Sequence, residues 1–129
     1  MKLRIQGDSL RVRVGPGEIA RLLESGRIEE RVHFAEEPEA RLTYALELGA
    51  NGHGGDPVSV RWRPQELAIV VPREMARAWA ESEQVGMSGE ANAGAAKLAV
   101  LVEKDFACLE QKEGESEDTF PNPKAGASC

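Results

Sequence analysis

Polar and apolar positions alternate from the second residue onward. Leu3 and Ile5 fall on one face and Lys2 and Arg4 on the other, which predicts a half-buried strand over Lys2 to Gln6. Gly7-Asp8-Ser9 has tight-turn chemistry, and Leu10, Val12 and Val14 continue as a second strand with Arg11 and Arg13 outward. The period then changes. Ile19, Leu22 and Leu23 recur at helical spacing, behind Pro16 at a first helical position and Glu18 in the first turn, with Gly26 as the stop. Arg27 to Phe34 returns to alternation with Ile28, Val32 and Phe34 inward. Glu30 shares that face, so the strand requires a bulge or an edge position. Ala35 to Ala40 turns around Pro38, and Leu42, Tyr44, Leu46 and Leu48 mark the next strand.

Gly49 to Pro57, with four glycines, reads as a connecting loop, and the pattern then starts again. Val58, Val60 and Trp62 face inward with Arg61 and Arg63 outward. Pro64-Gln65 turns, and Leu67, Ile69 and Val71 return. A second helix is expected over Pro72 to Ser82, with Met75 and Trp79 on its apolar stripe. Gln84 to Gly89 follows as a short strand, Glu90 to Ala96 as a turn, and Lys97 to Phe106 as a central strand covered on both faces. The helix segment Pro72-Arg73-Glu74-Met75-Ala76-Arg77-Ala78-Trp79 repeats the Pro, Glu, Ala and Arg of Pro16-Gly17-Glu18-Ile19-Ala20-Arg21-Leu22-Leu23, and the flanking strands align at an offset of about 57 residues.

These positions predict an α+β domain over residues 1–109, built from a duplicated strand-strand-helix-strand-strand unit with copies at about 1–50 and 57–106. The expected sheet is mostly antiparallel and barrel-like, closed by two short helices. Residues 110–129 read as an acidic segment and a mobile tail.

A chain of 129 residues with 41% hydrophobic positions suits one packed domain. No apolar run is long enough for a bilayer, and the alternating charge at the N-terminus does not fit a signal peptide, so a cytoplasmic location is expected. The net charge of −6 argues against general nucleic-acid binding. That average conceals a segregation, because the early strands are rich in arginine while Glu103 to Asp118 is strongly acidic.

Two sets of residues are candidates for chemistry. Cys108, Asp105 and Asp118, with His33 or His53, are zinc-ligand types, although their spacing matches no established zinc pattern. The plainer alternative is a buried Cys108 beside Phe106 and Leu109, with solvated acids around it. The second set is the outward basic face of Lys2, Arg4, Arg11, Arg13, Arg61 and Arg63, which suits a small anion or an acidic protein partner. No aromatic residues are interleaved there for stacking on bases. Its alternative is salt bridging to Glu29, Glu47 or the acidic tail, which keeps an exposed sheet soluble. No residue set argues for catalysis.

Met1-Lys2-Leu3-Arg4-Ile5, Leu42-Thr43-Tyr44-Ala45-Leu46, Lys104-Asp105-Phe106-Ala107-Cys108-Leu109 and Phe120-Pro121-Asn122-Pro123 together resemble a family of short bacterial proteins known only as a domain of unknown function. The resemblance covers nearly the whole chain. It implies a bacterial source and a stand-alone domain, and it carries over no catalytic residue. The expected function is a non-catalytic binding or interaction module without a membrane role. The alternatives are a metal-dependent or thiol enzyme centred on Cys108, and an anion-binding module using the arginine face.

Overall fold

A computed structural model of the protein describes residues 1–49 and 58–106. Strands β1 (Lys2–Gln6) and β2 (Ser9–Val14) lead into helix α1 (Pro16–Ser25), followed by β3 (Arg27–His33) and β4 (Arg41–Gly49). The same succession then recurs as β5 (Ser59–Arg63), β6 (Glu66–Pro72), α2 (Arg73–Ala80), β7 (Gly86–Ala93) and β8 (Ala96–Lys104).

The strands form two four-stranded sheets, the first in the order β1-β2-β8-β7 and the second β3-β4-β6-β5. Each half of the chain gives two strands to each sheet. Hairpin partners are antiparallel, but the central pairs β2–β8 and β4–β6 are parallel. The sheets are therefore mixed, with antiparallel pairing prevailing. They stay open, so the barrel expectation is not met. Each helix carries the chain from one sheet to the other, because β2 and β3, like β6 and β7, lie in different sheets. Such crossovers end each sheet at an edge strand.

Inward residues of both sheets meet in one core. Leu10, Val12, Val14, Val100 and Val102 from the first sheet join Leu46, Leu48, Ile69 and Val71 from the second, with Leu22 of α1 and Trp79 of α2. The α1 entry is fixed by a capping box, in which the Gly15 N–H donates to Glu18 Oε1 at 2.9 Å. Its exit is Gly26 at φ 84°, whose N–H reaches the Leu22 carbonyl oxygen at 2.8 Å. In α2, the buried Trp79 donates its indole N–H to the Val85 carbonyl oxygen at 2.9 Å, tying the helix to the approach to β7. Gly89 of β7 packs closely on Val58, the residue before β5. A Cβ there would stand 3.1 Å from both the Cβ and the carbonyl oxygen of the buried Val58.

Several inward assignments are corrected. Trp62 is 64% exposed, Phe34 is 68% exposed, and Val32 is also exposed. Trp62 and Val32 lie on β5 and β3, the edge strands of the second sheet, and Phe34 directly follows β3. Alternation buries a side chain only where another layer covers it. The edge position of β3 also accommodates Glu30, which is exposed and pairs with the Met1 ammonium at 2.8 Å. That ammonium also contacts Glu18. Glu90 to Ala93 belong to β7 rather than to a turn. Strand β8 does lie at the centre of its sheet, but its outer face is only partly covered.

Candidate functional site

Arg4, Arg11 and Arg13 stand together on the outer face of the first sheet. Arg61 and Arg63 stand on the outer face of the second, so the structure does not unite the five arginines. Of the proposed zinc set, Cys108, Asp118 and His53 lie outside the described residues. Asp105 follows β8 and pairs with Lys2 Nζ at 2.9 Å, while His33 ends β3 in the other sheet. Among the described residues, no three His, Cys, Asp or Glu side chains cluster as metal ligands. No described helix is long and apolar enough to cross a membrane.

The outer face of the second sheet carries an ion-pair network, within which Arg61 Nε and Glu66 Oε1 make no hydrogen bond. Arg27 on β3 and Arg61 on β5 flank Glu47 on β4. Arg27 Nη1 donates to Glu47 Oε1 at 2.7 Å, and Arg61 donates to both carboxylate oxygens at 2.6 and 3.0 Å. Arg27 also reaches Glu29 and Glu66, so three carboxylates serve the two guanidiniums. The bonds from Arg61 hold the Glu47 carboxyl down at about 2, helped by Arg27 and opposed by partial burial. Beneath the network lie Ala45 and Ala68, paired across β4 and β6 and buried although outside the main core. Short side chains let the long charged ones lie flat over them. Arg63, at the end of β5, is exposed.

The first sheet is organised differently. Glu103 on β8 is the buried carboxylate here, with Arg11 Nε at 2.7 Å and Arg13 Nε at 2.8 Å from the same oxygen. Burial pushes its carboxyl up, but the bond from Arg13 and the adjacent positive charges of Arg11 and Arg13 outweigh this and leave it below the ordinary value. The Arg11 Nε–H is buried and makes no hydrogen bond despite that approach. Arg4 has no carboxylate partner among the described residues, and its guanidinium donates to Gln6 Oε1 at 3.1 Å.

Arg4, Gln6 and Arg11 border a trough of about 630 Å³ on the outer face. Its shape follows from side-chain length across the strand order. Arg4 and Gln6 rise on β1, and Glu90 rises on β7. Between them the register places Ser9, Ala99 and Ser88, all too short to fill the space. In the second sheet the register position of Ser9 is held by Glu66, since Ser9 pairs with Ala99 on β8 as Glu66 pairs with Thr43 on β4. Glu66 fills that space and helps neutralise Arg27, with its second oxygen 3.7 Å from Arg61. A volume of this size accommodates a small organic ligand.

The chain belongs to a family of unknown function (DUF7009), whose model matches residues 1–124. Membership supports the expectation of an uncharacterised domain family. No curated protein and no solved structure matches the chain.

Sequence reasoning found Arg4, Arg11, Arg13 and Arg61 of this family member but missed Arg27, and it missed Ser9, Ala99 and Glu90, which shape the trough. Ser9 was read as part of a turn. Glu90 lies in Gly-Met-Ser-Gly-Glu-Ala-Asn-Ala, a run with little strand propensity. Glu103 was grouped with the acidic C-terminal segment, although its place two residues after Leu101 set it on the outer face of the strand.

Proposed function

We propose that the protein is a non-catalytic binding module that holds a small anionic ligand in the trough of the first sheet. The contrast between the two outer faces carries this reading. In the second sheet the central arginines are matched by carboxylates. In the first, among the described residues, Arg11 and Arg13 share a single carboxylate and Arg4 has none, bonding only to Gln6. A guanidinium beside an apolar-floored trough is a ready partner for a carboxylate or phosphate group.

The same reading takes the chain as two copies of one strand-strand-helix-strand-strand unit, at about 1–50 and 57–106, interleaved so that each sheet holds half of each copy. Its support is topological. Exchanging β1 to β4 with β5 to β8 turns the order and strand sense of one sheet into those of the other. On this view one face kept its charge network and the other opened into a site. The same reading places it in a bacterial cytoplasm.

Calorimetric titration of the full chain with inorganic phosphate in low salt tests the binding reading. The expected dissociation constant is on the order of millimolar, weakening as salt is raised. Arg4→Gln should weaken binding at least threefold, and Arg63→Gln, which removes an exposed arginine outside the trough, should leave it unchanged. Equal losses in the two variants would reduce the effect to general surface charge and overturn the proposal.

A further inference from the structure

The trough is charged at both rims, with opposite signs. Arg4 stands on the β1 side, while Glu90 on β7 makes no ion pair or side-chain hydrogen bond among the described residues. Both side chains project from the outer face. Arg4 shares its register row with Arg11, Leu101 and Ser88, and Glu90 shares the neighbouring row with Ala99, Ser9 and Gln6. Strands lie about 4.8 Å apart, so β1 and β7 are separated by about 14 Å, and the diagonal from Arg4 to Glu90 is about 15 Å. The two groups make no ion pair with each other, and the short side chains of Ser9, Ala99 and Ser88 lie on the strands between and beside them.

From this juxtaposition we infer that the ligand is a zwitterion, with a carboxylate held at Arg4 and Arg11 and an ammonium held at Glu90, as in a short free peptide. This rests on the anion-binding reading and adds the second charge to it. A tripeptide spans about 10 Å from end to end when extended. A hydrogen bond of about 3 Å at either end brings this to about 16 Å, so the Arg4 and Glu90 side chains meet both termini when they stand away from the sheet. The floor between the rims, Ala99 and Leu101 with Ser9 and Ser88, suits a backbone carrying small side chains. A ligand with an anionic group alone would leave Glu90 facing it, a like charge that weakens binding. A zwitterion turns that repulsion into attraction.

The experiment follows amide resonances of the full-length chain during titration with trialanine, N-acetyl-trialanine, trialanine amide and inorganic phosphate. Trialanine is expected to shift the resonances of β1, β2, β7 and β8. The acetylated and amidated forms, each lacking one charge, should bind at least fivefold more weakly. Glu90→Gln should abolish the preference for the free amine while retaining phosphate binding, and Arg4→Gln should abolish the preference for the free carboxylate. Equal affinity for trialanine and its acetylated form, with phosphate still bound, would overturn the zwitterion and leave the anion site standing. No shift with any of the four compounds would overturn both.

Discussion

Replacing Glu47 with glutamine tests the charge network that sets the two faces apart. The substitution keeps the side-chain length and removes the charge that three short hydrogen bonds from Arg27 and Arg61 address. Bonds to charged groups are worth about 1.5–3 kcal/mol when buried, whereas exposed ion pairs reach at most about 1 kcal/mol. The Glu47 side chain is 22% exposed and its partners 28% and 34%, so the pairs lie between these limits. Glutamine still accepts one bond through its amide oxygen, and Glu29 and Glu66 still serve the arginines. The net loss is therefore about 1–2 kcal/mol, or a fall in Tm of roughly 5–10 °C for a domain of this size. The pH dependence provides a second reading. Glu47 titrates at about 2 when folded, against 4.5 as its reference value. Its contribution is complete above the reference value and is lost as the pH falls from there towards 2. Thermal melts followed by circular dichroism from pH 7 down to 2.5 should show a shallower acid decline in Glu47→Gln than in the parent. A Tm change under about 2 °C at pH 7, with an unaltered acid decline, would refute this account of the network.

Three further outcomes are expected. Gly89→Ala places a methyl group against the Val58 backbone at 3.1 Å and should cost about 1–3 kcal/mol in urea unfolding, whereas Gly94→Ala, in open space, should show no clash and only the cost of its left-handed φ of 66°. Trp62→Phe should remove the acrylamide-quenchable, red-shifted part of the tryptophan fluorescence, because Trp62 is exposed and Trp79 is buried. Glu103→Gln should destabilise the chain progressively less as the pH falls below the ordinary carboxylate range, because its carboxyl is held below that range by Arg13 and Arg11 against the opposing effect of burial.

The element order was legible in the sequence because its signals were local. Alternation marked the strands, and Pro16 with Glu18 and Gly26 marked the first helix. The sheet arrangement was not legible. Whether β2 pairs with β8 or with β4 depends on how two similar hairpins dock across about 90 residues, and local alternation is the same either way. The exposure of Trp62 and Phe34 was hidden for a related reason, since an apolar side chain at a sheet edge has the same periodicity as one at its centre. The arginines were found by their outward phase. What distinguishes Arg4 from Arg61 is the identity of the residues around them, with Glu47 and Glu66 on other strands facing Arg61 and, among the described residues, only Gln6 bonded to Arg4. The trough was invisible because it consists of short residues, Ser9, Ala99 and Ser88, brought side by side by pairing over long sequence separations.

The most direct measurement is a residue-resolved comparison of the two outer faces during phosphate titration of the isotope-labelled chain. Binding in the trough predicts saturable amide shifts at Arg4, Gln6, Ser9, Arg11 and Ser88, with Arg61, Arg63 and Glu47 unmoved at the same phosphate concentration. Shifts of equal size on both faces, or confined to the second sheet, would contradict it.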